Sequence, residues 1–245
     1  MGLRVVWRLI VMVLLVGGFV RAGMAQQPVD LALVLAVDVS RSVDAEEAEL
    51  QRSGYVAAFR DPAVQAAIRG GAFGRIAVLY LEWAGVEFQR VTVPWTVIHD
   101  AESALAFADR IAGADRVSWP WTSISTALTT ATELLDHAPV EPMRKVIDIS
   151  GDGANNQGIP LPLARERALA AGITINGLPV LNDRPNFGRP AESELDAYYE
   201  ERVIGGPGAF LVVAQDFSAF GQAIRAKLLR EIAGVTGPLR LLARR

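Results

Sequence analysis

The chain has 245 residues, 51% hydrophobic and 21% charged, with a formal net charge of −3 and no cysteine. That composition suffices for one domain with a sizeable core. It excludes disulfides, zinc–thiolate sites and cysteine nucleophiles, and the charge argues against nucleic-acid binding through a basic surface.

The predicted elements begin with a leader. Arg4 and Arg8 precede an apolar stretch over residues 9–20, and Gly23 and Ala25 stand at −3 and −1 to a cut before Gln26. This pattern predicts a secretory signal peptide over residues 1–25. The stretch is short of the roughly 20 residues a membrane span needs, so an uncleaved anchor is the lesser reading. Without Arg4, Arg8 and Arg21 the chain keeps 21 basic against 27 acidic residues, which suits a soluble periplasmic or secreted protein with no stable membrane span.

Residues 30–37 contain the run LALVLAV, expected of a central parallel strand covered on both faces. Asp44 and Glu47 form a capping-box pattern for a helix running toward Arg60. Asp61-Pro62 restarts it, and it fades at Gly70-Gly71. Residues 75–83 and 86–93 read as a hairpin, and residues 100–112 and 123–136 as two helices. A strand over 145–150, a helix over 160–171 closed by Gly172, and a strand over 173–180 follow. Residues 181–190 read as a loop, 192–203 as a helix, 209–214 as a strand and 217–232 as the last helix. The residues beyond, 236–245, read as a frayed basic tail. The expectation is one domain over residues 26–235. Its fold class is α/β, doubly wound: a mostly parallel six-stranded sheet with one antiparallel edge strand and helices on both faces.

Three segments fall where an apolar run gives way to a polar turn: Asp38-Val39-Ser40-Arg41-Ser42, Thr122, and Gly151-Asp152-Gly153. They offer two carboxylates and three hydroxyls, a donor set for a hard divalent cation. Asp38 ends the first strand, Asp152 follows another, and Thr122 precedes a helix, so all can meet at the sheet's carboxyl edge, where such folds bind ligands. Two aspartates balance one divalent cation and leave its shell open to a carboxylate from a partner.

The D-x-S-x-S motif, the later Thr at a helix head and the D-G after a strand resemble the von Willebrand factor A domain and its metal-ion-dependent adhesion site. The likeness spans about residues 30–232. More narrowly, IDISGDGANN and VIGGPGAF look like an exported bacterial branch of that superfamily, of uncharacterised function. The resemblance implies Asp38, Ser40, Ser42, Thr122 and Asp152 as metal residues: Ser40, Ser42 and Thr122 binding directly, the aspartates directly or through water. Mg²⁺ is the first expectation, with Mn²⁺ or Ca²⁺ as alternatives. Two positions depart from the family pattern: Gly151 stands for the usual Thr, and Trp121 for a small residue.

Asp148, alternating with Ser150 and Asp152 on an apolar strand, is a candidate support for the metal loop. Ser150, Trp121 and Asn155 are candidates for the same support or for the ligand rim, with Trp119 and Asn156 beside them. His99 and His137 lie in no catalytic spacing, and Gly-x-Ser-x-Gly is absent. The expected function is therefore a non-enzymatic, exported adhesion-type module that binds an unidentified protein or acidic ligand through the cation. The alternatives are a metal-assisted phosphohydrolase with Asp38 as nucleophile, for which Ser40 stands where the usual second Asp would be, and a scaffold with a purely structural metal.

Overall fold

The computed structural model describes residues 26–181, 194–234 and 240–243. The expected signal peptide and most of the 181–190 loop lie outside them. Strand β1 (Gln27–Val29) leads into β2 (Leu31–Asp38), helix α1 (Ala45–Arg60) and helix α2 (Pro62–Arg69). The hairpin β3 (Ile76–Trp83) and β4 (Gln89–Ile98) precedes α3 (Ala101–Ala112) and α4 (Ile124–Asp136). Then come β5 (Val140–Pro142), β6 (Lys145–Gly151), α5 (Leu161–Ala170) and β7 (Ile173–Pro179). Helix α6 (Leu195–Tyr198) passes into a π-helical turn (Tyr199–Val203), followed by β8 (Leu211–Ala214), α7 (Phe220–Ala233) and β9 (Arg240–Ala243).

Seven strands form the main sheet in the order β4-β3-β2-β6-β7-β8-β9, and β4 alone among them runs antiparallel. Strands β1 and β5 form a separate parallel pair at the amino end, too short to show in the sequence pattern. Both β2 and β3 are buried along their full length, as a run without polar alternation requires. Strand β2 shows how the two faces differ. Leu31, Leu33, Leu35 and Val37 join the core shared with α1, α3 and α7, whereas Ala32, Val34 and Ala36 join the core shared with α4 and α5. Residues two apart share a face, so the smaller side chains all meet α4.

The capping signals act as read. Asp44 and Glu47 close a full capping box on α1, and the Asp61 side chain caps α2 with Pro62 in its first turn. Three expectations are corrected. Residues 240–243 are not frayed: they pair in parallel with β8, giving seven strands rather than six. Strand β4 starts at Gln89 and continues past Pro94 to Ile98, because an edge strand tolerates a missing N–H. The helix expected over 192–203 starts at Leu195, after Glu194 in the left-handed conformation, and its second half is π-helical.

The order of strands reverses at β2. Strand β3 lies on one side and β6 on the other, both parallel to it, so helices leave in opposite directions and a crevice opens at the carboxyl ends of β2 and β6.

Candidate metal centre

Asp38 is the last residue of β2 and fully buried, at 0% exposure. The chain turns at once, and the Ser40 N–H donates to Asp38 Oδ1 at 2.7 Å. This local side-chain turn lets the strand stop without an unpaired donor. The Val39 N–H still bonds the Trp83 carbonyl of β3, and the Val43 N–H bonds the Ser40 carbonyl, delivering the chain to the α1 cap. From α1, the Gln51 amide donates to the Asp38 carbonyl at 3.0 Å.

The hydroxyls fall into a chain. Ser42 Oγ donates to Asp152 Oδ1 at 2.6 Å and lies 2.8 Å from Ser40 Oγ. A hydroxyl has one proton. With that of Ser42 given to Asp152, the single Ser40 proton serves either Ser42 Oγ or the Asp38 carboxylate, which the Ser40 hydroxyl also stabilises. Both serines keep acceptor lone pairs. Asp38 Oδ2 is buried and has no hydrogen-bond partner. Burial pushes the Asp38 carboxyl well above the usual carboxylate range and the charge of Asp152 pushes it further, against the pull of the Ser40 and Asp152 N–H groups.

Thr122 arrives from the third segment, just before the α4 cap Ser123. Its peptide is clamped on both sides by Asn156, whose Oδ1 accepts from the Thr122 N–H at 2.9 Å and whose N–H donates to the Thr122 carbonyl at 2.9 Å. Thr122 Oγ1 lies beside Gly153, 3.7 Å from where a Cβ there would stand. The structure therefore brings Asp38, Ser40, Ser42, Thr122 and Asp152 to one edge of the sheet. Two carboxylates in repulsion, an orphaned buried carboxylate oxygen and hydroxyls with spare lone pairs fit a hard divalent cation.

The other candidates separate. Asp148 does not face this loop: it meets Lys227 Nζ of α7 at 2.5 Å, both side chains at 0% exposure, and Lys227 also meets Glu231 at 2.8 Å. Ser150 shares that face, 3.2 Å from the Tyr55 hydroxyl. The Asn155 side chain accepts from the Ser125 N–H at 2.9 Å through its Oδ1 and so caps α4. Trp121 stands at the rim, 52% exposed, with a left-handed φ of 70°. Gln51 and Tyr199 were not singled out in the sequence. Gln51 has a signal there, a polar residue in the i, i+4 row of Glu47, Tyr55 and Phe59 that α1 buries. Tyr199 has none, because only the tertiary fold carries its hydroxyl to Gly151. A Cβ at Gly151 would lie 2.9 Å from that hydroxyl and 2.8 Å from Asp38 Oδ2. The space a threonine would fill is thus taken by Asp38 Oδ2 and the Tyr199 hydroxyl together, which accounts for the glycine.

A family model described as "Protein of unknown function (DUF1194)" matches residues 28–236. No curated protein matches the sequence. Among solved structures, proximal thread matrix protein 1 from the mussel byssus, with a zinc-occupied MIDAS motif, is similar at a TM-score of 0.62 and 13% identity, over 85% of this chain and 49% of that one. The conserved hypothetical protein BatB from Bacteroides thetaiotaomicron matches at 0.57 and 18%, over 84% of this chain and 100% of its own. A von Willebrand factor type A protein from Catenulispora acidiphila matches at 0.56 and 14%, over 83% of this chain and 43% of that one. The chain thus spans about half the length of the mussel protein. At these identities the likeness concerns the fold, which is that of von Willebrand factor A domains.

Proposed function

Since the chain belongs to the DUF1194 family and has the fold of a von Willebrand factor A domain, we propose that it is an exported, non-enzymatic binding module that engages an acidic group of a partner through a divalent cation. The observation that carries this reading is the convergence of Asp38, Ser40, Ser42, Thr122 and Asp152, with Asp38 Oδ2 left without a protein partner. The zinc-occupied site of the similar mussel protein supports the same reading.

Ser40, Ser42 and Thr122 would hold the cation through their hydroxyls, and Asp38 and Asp152 would balance its charge. When bound, the cation supplies an open Lewis-acid position for a carboxylate oxygen, with Mg²⁺ preferred by a hard-oxygen set. The chain's own contribution is preorganisation. Asn156 fixes Thr122, Gln51 and the Ser40 N–H fix Asp38, and the serine chain fixes Asp152. Catalysis through Asp38 finds no support: the carboxylate is fully buried, and both histidines lie elsewhere, His99 beside the α3 cap and His137 on the last turn of α4. Export rests on the leader pattern at residues 1–25. Among the described residues no helix is long and apolar enough to cross a membrane.

Titration of the purified protein with Mn²⁺, followed by electron paramagnetic resonance and competed with Mg²⁺, tests the site. One ion bound per chain, lost in Asp38→Ala and in Asp152→Ala, is the expected result. Binding that survives both substitutions in folded protein would exclude this site.

A further inference from the structure

Beside the hydroxyl edge lies a small cavity of about 90 Å³, lined by Gly85, Glu87, Trp119, Pro120, Trp121 and Gln157. Its walls are unusual for a protein surface. Trp119 and Trp121 are 42% and 52% exposed, whereas Trp83 is fully buried. They are nevertheless held in place. Trp119 stacks on Phe88 with ring centroids 5.6 Å apart and planes at 23°, and its backbone N–H donates to the Val39 carbonyl. Trp121 has a φ of 70°, a left-handed conformation that costs a bulky residue about 1–3 kcal/mol. Its neighbours impose it. The Thr122 N–H is fixed by Asn156, and Gly85 presses so close that a Cβ there would stand 2.7 Å from the Pro120 carbonyl oxygen and 3.1 Å from Trp121 Cβ. Gln157 closes the floor by accepting from the Val86 N–H at 2.9 Å. The fold thus sustains backbone strain to hold an indole at the surface, next to the residue that supplies the Thr122 hydroxyl.

The slot has an electrostatic sign. Indole faces are negative and attract cations. Glu87, exposed on the β3–β4 hairpin, adds a carboxylate and makes no ion pair among the described residues. At about 90 Å³ the cavity exceeds the roughly 10–15 Å³ that a single water needs, enough for an ammonium group with its last methylenes. We propose that this slot is a cation subsite taking a lysine-type ammonium, so that the partner presents a basic side chain within a short peptide's reach of the carboxylate it offers to the cation centre. The partner's class rests on the proposed function. The subsite itself does not, because none of its walls belongs to the metal set.

The test uses the protein without its leader, Nα-acetyl-lysine methylamide as probe and the neutral norleucine analogue as control. The readout is the indole N–H signals in ¹H–¹⁵N spectra, assigned with Trp119→Phe and Trp121→Phe. The lysine probe is expected to shift the Trp119 and Trp121 signals and to saturate at about 1–50 mM. The norleucine analogue should leave them in place, and Glu87→Gln should weaken lysine binding about 3–10-fold while leaving the other indole signals unmoved. Equal shifts with norleucine, an unweakened Glu87→Gln, or no shift up to about 100 mM would each overturn the subsite. Mn²⁺ titration of the same samples separates the two proposals. Lysine shifts without Mn²⁺ binding remove the metal-bridged reading and keep the slot, and the converse removes the slot alone.

Discussion

At Gly151 and Asn156 the geometry of the site depends on single atoms. Gly151 lets Asp38 Oδ2 and the Tyr199 hydroxyl approach the β6 terminus together. Gly151→Ala should destabilise the protein by about 1–3 kcal/mol through overpacking, seen as a lower midpoint in urea unfolding, and should weaken Mn²⁺ binding in the same preparation. Adding Tyr199→Phe removes one of the two clashing oxygens and should recover part of the loss; no recovery would mean that Asp38 alone sets the constraint. Asn156→Ala leaves every proposed ligand in place but unclamps the Thr122 peptide. It should weaken metal binding about 10–100-fold, as losses of supporting hydrogen bonds do, with a calorimetric titration as the check. The proposed ligand residues were legible in the sequence because turn chemistry places Asp and Ser at strand ends. Asn156 was marked only as a neighbour of the ligand rim and Tyr199 not at all, because their roles are contacts across separate loops that no local pattern encodes.

The pairing of β6 with α7 carries a buried triad in which Lys227 faces Asp148 and Glu231, and the Asn176 amide donates to Glu231 at 2.9 Å. Two carboxylates against one ammonium leave an excess negative charge in the core. Burial first, then Glu231, raises the Asp148 carboxyl to about 7, with Lys227 pulling the other way. A folded value above the unfolded one means that the native state holds the proton longer, so its contribution is complete below about pH 4 and is lost as pH rises through about 7. Wild type should therefore lose stability relative to Asp148→Asn between pH 4 and pH 8, measured as paired denaturation midpoints; parallel curves would show that Asp148 does not carry the proton. Lys227→Met strands both carboxylates and should cost about 3–5 kcal/mol at pH 8. Elements of this kind were half legible. The apolar run of β6 and the helical spacing of α7 predicted both, and Asp148 stood out as a charge inside a strand. Its partner did not, since nothing in residues 217–232 marks Lys227 as the position that turns inward. Strand β9 was missed for a related reason: four residues show a strand only beside a neighbour already in place.

For the whole molecule, an ion that binds the folded chain alone stabilises it by mass action, by about 2.7 kcal/mol at one hundred times its dissociation constant. Thermal unfolding with Mg²⁺ against chelator should show a rise in midpoint that Asp152→Ala abolishes. Removing residues 240–245 uncovers the β8 edge, and the truncated chain should self-associate more readily in analytical ultracentrifugation, since a bare edge invites strand pairing. The fold class was readable at this scale because alternation of buried strands and amphipathic helices admits few topologies. The sheet's polarity has one more consequence. Gln27–Val29 pairs with Val140–Pro142 at the amino ends of the strands, whereas Asp38 and Gly151 lie at the other. The eight residues of β2 separate the two poles, roughly 26 Å at about 3.3 Å per residue. A tether placed before Gln26 would hold the protein by the pole away from the hydroxyl edge and turn that edge outward, while one placed after Ala243 would crowd it. Immobilising the chain by each end in turn makes the difference an observable asymmetry in accessible binding capacity.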